Sequence, residues 1–155
     1  MTISEQIKVL CVRSNISVAE LARDIAIGAG LDYEEQIIAE IIGHAHDIGH
    51  TPFGHNGENI LNNEIKKFGP EYIFKHQKYG ANVFEEIYNR FLETYKKSEA
   101  GIDEEYTNKL REIIRNGIIN HNQYYAYKVK NESMPQKCVR IADFIAFMIS
   151  DVSDL

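Results

Sequence analysis

Cysteine is scarce in this chain, with two residues in 155. Cys11 and Cys138 form neither a zinc-binding spacing nor a disulfide framework, which fits a reducing cytoplasm. Basic charge is also in short supply. Lys and Arg number 17 against 23 Asp and Glu, a net charge of −6, and that sign argues against an extensive nucleic-acid surface. It leaves a nucleotide substrate open, because a metal can bridge carboxylates and phosphate. No long uncharged apolar run and no charged-then-apolar leader is present, so neither a membrane span nor export is expected. The alternation that half-buried strands require is nearly missing. Repeats, low-complexity tracts and linker-like stretches are missing too. A chain of this length suits one domain, 1–155, which can bury roughly 70% of the surface its unfolded form exposes.

What remains is helical periodicity, and the class it indicates is all-α. Ile16 to Ala29 predicts a helix with Val18, Leu21, Ala22, Ile25 and Ala29 on one stripe, ended by Gly28 and Gly30. Asp32 is a candidate N-cap, with Glu34 and Glu35 in the first turn. The next helix carries Ile37, Ile38, Ile41 and Ile42 to about Ile48, where Gly49 and Pro52 stop it. Another starts after Gly54 and runs to Phe68-Gly69-Pro70. Lys75 to Tyr95 and Glu104 to Asn120 predict two further amphipathic helices, with a polar loop over Lys96 to Asp103. Asn122 to Pro135 reads as irregular, and Gln136 to Val152 as a final helix.

Four of the six histidines crowd into HAHDIGHTPFGHNGE, from His44 to Glu58. His46 and Asp47 pair an imidazole with a carboxylate, donors suited to a transition metal or to Mg and Mn; the same dipeptide is also common on solvated surfaces. His50 lies one helical turn beyond His46, which would put both rings on one face. His44, two residues before His46, points elsewhere. Gly54 and Gly57 allow a tight re-entry after Thr51-Pro52. If a helix restarts there, His55 and Glu58 project together, as an acid–base pair or as a pair satisfied by solvent. Asp143 interrupts an apolar helix, a costly position unless a metal or an ion pair with Arg140 compensates it. His76 opens a helix, where an anion can be touched. His121 ends one, where a protonated imidazole complements the dipole. Asp151 and Asp154 read as solvated charges.

The stretch AHDIGHTPFGHNGE resembles the signature of the HD-domain phosphohydrolases, in their dGTPase-like (deoxynucleoside triphosphate triphosphohydrolase) branch. FKHQKYG, RNGIINH and VRIADFIAFMISDVSD resemble that family's later segments, so the likeness runs from about Val12 to Asp154. It implies an HD-domain helical bundle and a divalent metal ion (Mn, Mg, Fe, Co or Ni) held by His46, Asp47 and Asp143. It implies an acid–base pair of His55 and Glu58, and triphosphate contacts from His50 and His76. The substrate would be a dNTP, dGTP-like, hydrolysed to deoxynucleoside and triphosphate by a cytoplasmic enzyme that tends to form homo-oligomers. In RSNISVAELAR, Ser14 stands where the family pattern has a further metal histidine. The alternative this substitution raises is a catalytically weak HD module that binds nucleotide or a protein partner. The family's chains usually continue past this closing helix, so the sequence is read as a minimal form or as the N-terminal part of a longer chain.

Overall fold

The computed structural model describes residues 17–96, 103–123, 129 and 131–153. Ser14, Cys11, Asp154 and most of the expected 96–103 loop lie outside them. Among these residues there are six α-helices: α1 (Val18–Gly28), α2 (Tyr33–Ala45), α3 (Gly54–Ile65), α4 (His76–Lys96), α5 (Glu104–Asn120) and α6 (Met134–Ser153). A single 3-10 turn, Lys66–Phe68, extends α3, and no strand occurs among the described residues. The all-α expectation is met.

Local chemistry sets the helix starts. Ser17 accepts from Glu20 N while the Glu20 carboxylate accepts from Ser17 N, and Asp32 and Glu35 repeat this reciprocal arrangement at the start of α2. Each satisfies two amide groups that a helix leaves unpaired at its first turn. Asp103 caps α5 by accepting from Tyr106 N. The last helix begins at Met134, before the expected Gln136, and takes Pro135 into its first turn, where a missing N–H costs nothing.

Packing centres on α2, which touches α1, α5 and α6. Ala22, Ala26, Ile38, Ala39, Ile42, Ile118, Val139 and Ala142 form the heart of the core. Small residues bring the axes close. A Cβ on Gly43 would lie 2.5 Å from Ala19 Cα, and one on Gly117 would lie 2.7 Å from Ile42 Cγ2. The start of α1 and the C-terminal ends of α2 and α5 are thereby held together. Among the described residues, no helix is long and apolar enough to cross a membrane.

Candidate functional site

The site grows from the end of α2. That helix stops at Ala45, three residues short of the expected Ile48, and His46 occupies its cap. The chain then tightens into a turn in which Ile48 N donates to Ala45 O and His50 N to Asp47 O. The reason is tertiary. Gly49 lies against the first turn of α4, where a Cβ would sit 2.1 Å from His76 O and 2.3 Å from Gly80 N. Only glycine permits that approach, and the approach brings His46, Asp47 and His50 up to His76. Re-entry into α3 uses left-handed backbone at Phe53 (φ 70°) and Gly54 (φ 53°), and the Thr51 hydroxyl donates to Gly54 O. Gly57 closes the turn, since a Cβ there would lie 2.0 Å from Pro52 O.

Three imidazoles are oriented from behind. A carbonyl can only accept, so His46 Nδ1 donates to Gly43 O (2.6 Å) and His121 Nδ1 donates to Ile118 O (2.7 Å). His76 Nδ1 donates to the Glu58 carboxylate at 2.5 Å. Their Nε2 atoms all turn toward Asp47. One carboxylate oxygen, Oδ2, stands 3.2 Å from His46 Nε2. The other, Oδ1, stands 3.3 Å from His50 Nε2, 3.4 Å from His121 Nε2 and 3.9 Å from His76 Nε2. Asp143, reaching in from α6, places Oδ1 3.7 Å from His46 Nε2. Arg140, the ion-pair partner considered for Asp143, forms a two-armed bridge to Glu132.

Charge follows this layout. Burial opposes protonation of His46, but the hydrogen bond and charge of Asp47, the Gly43 carbonyl and Asp143 outweigh it and raise its pKa. Partial burial favours the neutral acid at Asp47, yet hydrogen bonds from His121 and His46 hold its carboxyl far below the usual range. Burial lowers the pKa of His50, and His76 and His55 push the same way against Asp47 and Glu58. A positive charge, whether proton or cation, therefore belongs between Asp47 and the rings that face it.

That chemistry fits a divalent metal. Metal-bound histidines keep their second nitrogen on a carbonyl or carboxylate, as His46, His76 and His121 do here. His46 lies between two carboxylates, a mixed N/O set suited to transition metals. His46, Asp47 and Asp143, assigned to metal by resemblance, are brought together. The tightest convergences of donor atoms are nevertheless elsewhere: Asp47 with His76 and His121, and His50 with His55 and His76, each within 4.8 Å. His50 stacks on His76, with ring centroids 3.9 Å apart, and His55 stands edge-on to both at the exposed rim. Glu58, grouped with His55 in the sequence, bonds His76. His44, read as pointing away from His46, is exposed. Periodicity accounts for His121 only as a helix-end histidine; its place beside Asp47 is a long-range contact that no local spacing encodes.

A helical bundle that gathers a His-Asp pair, further histidines and an aspartate from its last helix at one end defines a class. The chain belongs to the HD domain family, whose model matches residues 15–148. Curated relatives include deoxyguanosinetriphosphate triphosphohydrolase-like proteins. The one from Brucella canis is 30% identical over 152 residues, covering 90% of this chain and 36% of its own length. That from Caldanaerobacter subterraneus subsp. tengcongensis is 32% identical over 139 residues, covering 90% of this chain and 33% of its own. That from Desulfatibacillum aliphaticivorans is 28% identical over 145 residues, covering 90% and 35%. This chain thus spans about a third of the length of the curated relatives it matches. No solved structure matches it.

Proposed function

We propose that this chain is a metal-dependent nucleotide phosphohydrolase whose substrate is a deoxynucleoside triphosphate, cleaved to deoxynucleoside and inorganic triphosphate. The observation that carries the reading is the meeting of His46, Asp47 and Asp143 beside a second group of histidines that opens to solvent at His55. The names of the relatives supply the substrate class.

His46, Asp47 and Asp143 would hold the cation, which when bound supplies Lewis acidity toward a phosphoryl oxygen and neutralises developing charge. His50 and His55 stand where a polyphosphate entering from the rim meets imidazole N–H donors. Burial keeps His50 predominantly neutral near pH 7, a donor without a fixed charge. His55, exposed at the rim, would give a proton to the departing 5′-oxygen. Glu58 fixes the tautomer of His76 beneath them.

Incubating the protein with each dNTP plus Mn, Mg or Co, and separating the products, tests this. Inorganic triphosphate is the expected product. Release of orthophosphate from monophosphates alone would redirect the reading to a nucleotidase. A second reading, a binding module without turnover, rests on Ser14 at a position where the family pattern has histidine. It is favoured if a nucleotide binds and no product forms with any of the three metals.

A further inference from the structure

We propose that Asn62 is a positioning residue: its amide holds α3 against the start of α4, and so fixes His55 and Glu58 beside His76. This deepens the function proposed above and rests on it for the role of His55 in the reaction.

Residues 72–75 lead into α4 without helix or strand, so their backbone groups need partners from elsewhere. At Phe74 one side chain supplies both. Asn62 Nδ2 donates to Phe74 O at 3.0 Å, and Phe74 N donates to Asn62 Oδ1 at 2.8 Å. A carboxamide carries a donor and an acceptor side by side, and meets a backbone residue much as a neighbouring strand would. Phe74 is in turn fixed to α4, its ring centroid 5.6 Å from that of Tyr79. Glu58 sits one helical turn before Asn62 and takes His76, two residues after Phe74. One turn of helix rises about 5.4 Å and two extended residues span about 6.6 Å, so the two grips match in length. The chain entering α4 is thereby pinned at two points along α3, running antiparallel to it.

The pinning matters because α3 has little else. None of its residues is buried. Among the described residues it packs substantially only on its own 3-10 extension, whereas the other five helices pack on one another. Yet α3 carries His55, whose ring centroid stands 4.8 Å from that of His50 and 5.3 Å from that of His76. Gln136 makes a comparable pair of bonds, accepting from Ser133 N and donating to Ile113 O. Those bonds join α6 to α5, which already pack on each other, so they serve the bundle. The Asn62 amide instead joins two elements that share no broad packing, at the place where His55 must be aimed.

The test has two readouts. The first is independent of turnover: the proton spectrum of metal-free, 15N-histidine-labelled protein. The Nδ1 proton of His76, buried and bonded to Glu58, gives a low-field resonance identified by its loss in Glu58→Ala. Asn62→Ala is expected to lose or displace that resonance, and Asn63→Ala, at an exposed neighbour on α3, to leave it unchanged. The second readout is hydrolysis of dNTP with Mn. Asn62→Ala is expected to lower kcat about tenfold or more, with a smaller change in KM, because misplacement by about 1 Å costs up to about 100-fold in rate. In a His55→Ala background the same change is expected to have no further effect on kcat. Asn62→Asp keeps the acceptor for Phe74 N and loses the donor, and replaces the alanine variant should that one misfold by circular dichroism. A resonance in the Asn62 variant identical to that of wild type overturns the proposal, as does an unchanged kcat in an active protein. So does a loss of rate that persists undiminished in the His55→Ala background, which is what mere destabilisation gives. Loss of the native fold in both Asn62 variants also overturns it, because the amide then holds the bundle and not the site. If the wild type hydrolyses no dNTP while the resonance still depends on Asn62, the function proposed above falls and the placement of α3 by Asn62 stands.

Discussion

Replacing Gly49 with alanine should separate the two halves of the site. The added methyl would stand 2.1 Å from His76 O, 2.3 Å from Gly80 N and 2.7 Å from Gly80 Cα. All three are backbone atoms and cannot swing aside as a side chain could. Ordinary contact begins near 3.4 Å, so the turn and α4 must part by about 1 Å or more, an overpacking cost of about 1–3 kcal/mol. In a domain of this size that lowers the melting temperature by about 3–10 °C. The larger effect falls on the donors, since Asp47 moves with the turn while His76 moves with α4. Misplaced support around a metal typically weakens its binding by about 10–100-fold. Thermal melts of the metal-free protein and Co(II) titrations of the folded variant measure the two effects separately. Gly28→Ala is the control, because nothing lies within 4 Å of its Cβ position, and it should melt at or above the wild type. If Gly49→Ala melts within a degree of wild type and binds Co(II) equally well, the contact does not organise the site.

Asp143→Asn leaves the last helix in place but removes one of the two carboxylates facing His46; metal uptake at that site should fall at least tenfold, and unchanged uptake would remove Asp143 from the donor set. Phe53 holds φ 70° with its ring 87% exposed. Phe53→Gly should therefore raise stability by about 0.5–1 kcal/mol and Phe53→Val lower it, both read by thermal melts. In metal-free protein, the raised pKa of His46 means its pairing with Asp47 stabilises the fold below the ordinary imidazole value of 6.5 and fades as pH rises through the folded value. Asp47, with its pKa lowered, is charged down through its own ordinary 3.8. The melting-temperature gap between wild type and His46→Gln should thus be widest between 3.8 and 6.5 and narrow toward pH 9. A gap that widens with pH contradicts that pairing.

Much of the fold could be read from spacing. The periodicity over Glu104 to Asn120 matches α5 end for end, and Asp32 caps α2 as its position suggested. Where spacing failed, long-range packing decided. Ile48 continues the apolar stripe of α2, yet the helix ends at Ala45 because Gly49 must meet Gly80, a contact no local pattern encodes. Pro135, expected to close the irregular stretch, sits inside the first turn of α6. The meeting of Asp143 with His46 came from resemblance, since residues 97 positions apart carry no periodic relation. Glu58 shows the limit of local reasoning: it lies one helical turn from His55, but its partner comes from another helix, 18 residues on.

His46 and His121 each donate to a carbonyl three residues back, at the end of α2 and of α5. Those carbonyls are among the ones a helix cannot satisfy by itself. Each ring is thus both terminator and donor, and exchanging it for another coordinating residue has a mechanical consequence. A thiolate or carboxylate offers no N–H, so it would take up an ion while leaving the helix end open. Retuning this centre for softer or harder ions by swapping either residue therefore loosens the scaffold in the same stroke, and changes of metal preference are more readily made through Asp143, whose backbone lies inside a continuous helix.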